Sequence, residues 1–154
     1  MNNVWRRVRA IGLILTLLGA LSATFVSPVA ATEGCSLGYW KVSQHFDSWP
    51  AVVGTPSTLF HDVTAAGGSV QLDDAFPGKT LLQVLWQGGG GLKALGRDTV
   101  AALLNGGSNG VNFNFSRAKT IGLFNTAYES ADPMLIEWTK NALSAMNSSG
   151  CPIS

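Results

Sequence analysis

Two cysteines, Cys35 and Cys151, are the only ones in this 154-residue chain, and they stand near the two ends of the segment beyond an apolar leader. In an exported protein an even pair reads as a disulfide. Bridging them closes a loop of about 117 residues, for which the chain-entropy model gives a gain of roughly 4–5 kcal/mol. That is a large share of the ~5–15 kcal/mol by which a domain is usually stable. Whatever fold forms must therefore bring its two ends together. A redox or metal role needs a closely spaced pair or further ligands, and neither is present.

Residues 1–31 carry the case for export. Arg6, Arg7 and Arg9 precede the apolar run Ile11–Leu21, Ser27-Pro28 breaks the segment, and Val29-Ala30-Ala31 supplies the small residues a signal peptidase reads. Cleavage is expected after Ala31, with Ala30 as the alternative. The apolar core is shorter than the ~20 residues of a spanning helix, and Glu33 before Cys35 does not suit a lipid-modified cysteine. The expected organisation is a signal peptide, 1–31, and one extracellular domain, 32–154, secreted or periplasmic.

Charge excludes two classes of partner. The whole chain has 10 basic and 9 acidic residues, and three of the basic ones are the leader arginines. Seven basic against nine acidic residues remain. Nucleic acid and anionic membrane surfaces both call for a basic patch, so neither is expected, and no later run is apolar enough for stable membrane insertion.

The first half of the domain reads as irregular. Tyr39–Phe46 suits a short helix ended by Trp49-Pro50, and Thr55-Pro56-Ser57 suits the cap of a single turn through Phe60. Residues 64–78 read as loop with one extended piece at Ser69–Leu72. The second half is more regular. Lys79–Gln87 suits a short buried helix. Leu92–Asn105 aligns Leu92, Leu95, Thr99 and Leu103, and Gly106-Gly107 suits a left-handed C-cap. Ser116 caps a helix with Ile121, Phe124 and Tyr128 on one face. Asp132-Pro133 opens a last helix expected to turn Leu135, Trp138, Ala142 and Met146 inward. Val111–Phe115 reads as loop. The expected fold class is mainly α: a small, irregular helical bundle with Gly-rich loops and its termini joined by one disulfide.

The opening Gly34-Cys-Ser-Leu-Gly-Tyr-Trp-Lys41 resembles that of a group of secreted bacterial and archaeal domains with the pattern Gly-Cys-x-x-Gly-Tyr-Trp-Lys. The likeness continues through Leu81-Leu82, Gly88–Gly91, Ala94-Leu-Gly-Arg97, Ala101–Asn105 and the closing Gly150-Cys-Pro152. The group often has Thr-Pro where this chain has Ser36-Leu37, and a histidine where it has Asp98. The resemblance implies a free-standing or appended extracellular module. It assigns no catalytic residue.

Three constellations are candidate sites. Gly88, Gly89, Gly90 and Gly91 precede a helix on which Lys93 and Arg97 lie one turn apart, an arrangement suited to an anion, although the Walker and dinucleotide spacings are absent. Against it stands a plain tight connection between helices. His45, Asp47, His61 and Asp62 are enough for a zinc-type site if the fold gathers them, and Asp73-Asp74 is a weaker candidate for calcium. Tyr39, Trp40 and Trp49 would form a platform for a glycan or protein partner if exposed, whereas Trp86 and Trp138 lie within helical stripes and are expected in the core. Asn114 and Asn147 match a glycosylation acceptor pattern, discounted because the leader has a bacterial character. No nucleophile motif is present, and no cofactor is implied. The expected function is a secreted non-enzymatic module, structural or binding a cell-surface, glycan or protein partner. The alternatives are a metal-dependent hydrolase and an anion-binding accessory protein.

Overall fold

A computed structural model describes residues 31–65, 68 and 70–153. The expected signal peptide lies outside them except for Ala31, as does Ser69 of the expected extended piece. Cys35 and Cys151 are bonded to each other. Beside the disulfide, Gly34 and Gly150 pair as an antiparallel bridge, with Gly34 N–H donating to the Gly150 carbonyl at 2.9 Å. The two ends of the domain are therefore joined covalently and by backbone.

Among the described residues five α-helices make the body: α1 (Leu37–Trp40), α2 (Leu81–Trp86), α3 (Leu92–Gly107), α4 (Arg117–Ser130) and α5 (Pro133–Asn147). No strand forms among the described residues beyond three isolated bridges, so the chain is mainly helical as expected. Nor is any described helix long and apolar enough to cross a membrane.

The centre is α3. It is buried on nearly every side from Ala94 to Asn105, because α5, α4, α2 and α1 all pack on it. Phe60, Phe76 and Phe124 meet at its flank with ring centroids 5.0–6.4 Å apart. Apolar burial of this kind stabilises by roughly 25 cal/mol per Å².

Helix starts are set locally, and the caps at Ser116 and Asp132-Pro133 match expectation. Thr80 and Gln83 form a reciprocal capping box on α2. The Ser116 hydroxyl accepts from Lys119 N–H, and the Asp132 carboxylate accepts from Met134 N–H at 2.9 Å with Pro133 in the first turn.

Other boundaries differ. The helix expected over Tyr39–Phe46 is split: α1 stops at Trp40, Val42 is extended, and a 3-10 segment covers Ser43–Ser48. Thr55 does not cap a turn through Phe60. Instead the Thr58 hydroxyl accepts from Thr55 N–H, and a separate 3-10 turn occupies Phe60–Asp62. Gly106-Gly107 is not a left-handed C-cap, since both glycines belong to α3 and neither has positive φ. Their need is closeness. A Cβ on Gly106 would sit 2.5 Å from the Phe115 carbonyl oxygen, and one on Gly107 2.7 Å from Val53 Cγ2.

Candidate functional site

The aromatic segment beside the disulfide faces inward. Trp40 is fully buried and Trp49 nearly so. Trp40 Nε1–H donates to Asn105 Oδ1 at 3.1 Å, and Trp49 Nε1–H donates to the Trp40 carbonyl at 3.1 Å. An indole whose N–H finds an interior acceptor is free to contribute its whole ring to the core. The expected platform of Tyr39, Trp40 and Trp49 is thus corrected: only Tyr39 keeps partial exposure, stacked on His45 at 3.8 Å.

Among the described residues the exposed indoles are the two that helical periodicity places inside. Trp86 is 59 % exposed and Trp138 66 %. Trp86 is the final residue of the six-residue α2, after which the chain turns extended at Gln87. Lys41 Nζ lies over it, 4.7 Å from the ring centroid. On α5 the buried stripe runs through Thr139, Leu143 and Asn147, rotated from the expected one, which leaves Met134, Trp138 and Ala142 outward.

The Gly88–Gly91 run builds the rim of a groove. Gly89 has φ 97° and Gly91 φ 55°, conformations that glycine adopts without strain. Arg97 reaches back to this loop, Nη1 donating to the carbonyls of Gln87 at 2.8 Å and Gly89 at 2.9 Å. Arg97 therefore commits Nη1 to shaping the loop, in place of the pairing expected with Lys93. Between this loop and the Phe76-Pro77 turn lies an open groove of about 590 Å³. Phe76, Pro77 and Leu92 give it apolar walls, and Lys79 and Lys93 stand at its edge. Among the described residues neither lysine is within salt-bridge distance of a carboxylate. The groove's far wall escaped sequence reasoning; Phe76-Pro-Gly-Lys79, a turn carrying a large ring and a cation, was the available signal.

The histidines do not assemble with their expected partners. His45 stacks on Tyr39, whereas His61 Nε2 lies 3.0 Å from Asp62 and its Nδ1 3.9 Å from Asp74. The two carboxylates flank opposite ring nitrogens and do not converge on one point. Among the described residues no group of three or more His, Cys, Asp or Glu is disposed to hold a metal ion, so His45, Asp47, His61 and Asp62 are corrected as a ligand set, and Asp73-Asp74 gathers none either. Asn147, one of the two acceptor-pattern asparagines, is fully buried.

Asn105 is a buried polar residue to which the sequence alone gives no role in a site. Asn105 is satisfied on all sides: its Oδ1 accepts from Cys35 N–H at 2.8 Å and from Trp40, and its Nδ2 donates to the Cys35 carbonyl at 2.9 Å and to Asn147 Oδ1 at 3.0 Å. A lone asparagine ending the apolar run Ala101–Leu104 was the signal. Nearby, burial holds the Asp98 carboxyl above its ordinary value of 3.8, opposed by the side chains of Asn147 and Ser144 and by the charges of Arg97 and Lys140.

Compared with protein-family models, curated proteins and solved structures, the chain matches none.

Proposed function

We propose that this chain is an exported, non-enzymatic binding module that engages a glycan or protein partner through the groove beside Gly88–Gly91. The observation that carries the reading is the groove itself: apolar walls from Phe76, Pro77 and Leu92 with two lysines at the edge. Apolar surface with a few polar groups is the usual make-up of a recognition site. The exposed Trp86, adjacent in sequence to Gln87 of the groove wall, adds a ring of the kind that stacks on sugars or fills a partner's pocket. The disulfide and the Arg-rich leader support export. The extracellular-module implication of the Gly-Cys-x-x-Gly-Tyr-Trp-Lys opening points the same way. Anion binding is contained in this reading, with Lys79 and Lys93 in place of Arg97 as the charges. The metal-dependent hydrolase has no gathered ligand set among the described residues to support it.

The test is a fluorescence and amide-shift titration of the oxidised protein with neutral and acidic oligosaccharides, then a pull-down from cell-envelope extract. Ligand-dependent shifts at Phe76, Gln87 and Lys93, weakened about tenfold by Lys79→Ala plus Lys93→Ala, are expected. Binding indifferent to these substitutions and to Trp86→Ala sinks the proposal.

A further inference from the structure

A second cavity, separate from the groove above, lies where the end of α3 meets the start of α4. It measures about 540 Å³ and is open on one side. Pro50 and Val52 supply an apolar wall, and Ser48, Ser108, Asn109 and Arg117 are the polar side chains of its lining. Among the described residues no acidic one lines it.

Arg117 is the unusual member. Its Nη1 is sealed from water and has no hydrogen-bond acceptor. Among the described residues Arg117 takes part in no salt bridge. An unsatisfied buried donor on a charged group is costly, and such orphans call for an explanation. Capping of α3 is not that explanation, because Nη1 donates to none of its carbonyls. Local charge deepens the imbalance: the first turn of α4 carries Arg117 and Lys119 and no acid, although cations disfavour a helix N-terminus.

The neutral lining groups share a property. Ser48 Oγ accepts from the Tyr39 hydroxyl, and Ser108 Oγ accepts from Gly110 N–H. Each hydroxyl hydrogen is left to donate elsewhere. One guanidinium, two hydroxyl donors and an amide beside an apolar wall match a singly charged anion with a short apolar body.

We propose that this cavity binds a carboxylate-bearing ligand, its carboxylate paired with Arg117 and its apolar portion against Pro50 and Val52. Arginine and carboxylate form two parallel charge-assisted hydrogen bonds, a geometry lysine cannot reproduce. Binding requires the Arg117 side chain to turn, because Nη1 is sealed from solvent as the side chain stands. Two sources offer this chemistry, a free short-chain carboxylic acid and the carboxy terminus of a peptide.

Amide and arginine Nε–H shifts of the oxidised protein, recorded during titration with butyrate, a Val-Ala-Val tripeptide and the same tripeptide amidated at its end, test the assignment. Expected are saturable shifts at Ser48, Ser108, Asn109 and Arg117 with the free acids, at least about tenfold weaker binding of the amide, and the same loss with Arg117→Gln. Tighter binding of the tripeptide than of butyrate identifies a peptide terminus, and equal binding a free acid. Should Arg117→Gln fail to fold, Val52→Asp, at a position 62 % exposed, places a competing carboxylate at the cavity rim and should abolish binding. The proposal is overturned by absent or non-saturable shifts, by equal binding of the amidated peptide, or by undiminished binding to either variant.

Discussion

Asn105 on α3 donates from Nδ2 to Asn147 Oδ1 on α5 at 3.0 Å, wholly inside the protein. Asn147 passes the connection on, its Nδ2 donating to the Asp98 carbonyl at 2.9 Å. Through the other bonds of Asn105, this chain of amides ties the backbone of Cys35 and the indole of Trp40 to the two longest contacting helices. The disulfide joins the ends, and Asn105 fixes how those ends sit against the bundle.

Removing that amide orphans several buried partners at once. Asn105→Ala should destabilise by about 3 kcal/mol or more, since each unsatisfied buried group costs about 1–3 kcal/mol. Asn105→Asp keeps the acceptors and loses the donors, so it too should destabilise strongly. Urea unfolding monitored by tryptophan fluorescence measures both; a change under about 0.5 kcal/mol, the range of ordinary surface substitutions, would contradict this role.

The four described tryptophans should divide sharply. Trp40→Ala empties a fully buried site and should cost about 3–5 kcal/mol. Trp86→Ala and Trp138→Ala, at exposed positions, should stay within about 0.5 kcal/mol. Collisional quenching by acrylamide should fall mainly on Trp86 and Trp138.

The disulfide spans a sequence separation of 116. Cys35→Ala with Cys151→Ala should lower stability by roughly 4–5 kcal/mol, chiefly through the unfolded chain. Comparing the denaturation midpoints of oxidised protein and variant checks it, and equal midpoints would refute a stabilising bridge.

Asp98 sets a pH dependence. Its carboxyl titrates above 3.8 when folded, so the native state holds this proton more tightly than the unfolded state. Stability from this group is fullest below the ordinary aspartate value and is lost as pH rises through the raised one. Lowering the pH through that raised value should therefore add stability from this group, and Asp98→Asn should remove that contribution to the pH profile of the melting temperature. A variant with the unchanged pH profile would assign the dependence elsewhere.

Gly96 packs against a ring: an added Cβ would lie 2.4 Å from Phe76 Cε2. Gly96→Ala should therefore destabilise by about 1–3 kcal/mol through overpacking, despite alanine's better helix propensity. Thermal unfolding decides the sign, and stabilisation would show that Phe76 yields freely.

Features that depend on neighbours along the chain can be read without the fold. The cysteine pair, the caps at Ser116 and Asp132-Pro133, the helical class and the irregular first half were all legible, because a cap or a proline acts within a few residues. Tertiary structure decided which faces turn inward. Trp40 is buried because an acceptor 65 positions away meets its N–H, and Trp138 is exposed because the buried stripe of α5 runs along Thr139, Leu143 and Asn147. Gly106-Gly107 has the look of a helix end and is a close crossing, since only the arrival of Phe115 and Val53 reveals the need for absent side chains. Candidate sites obey the same division: a motif names the residues, but whether Arg97 meets a ligand or its own loop depends on long-range packing that no local pattern encodes.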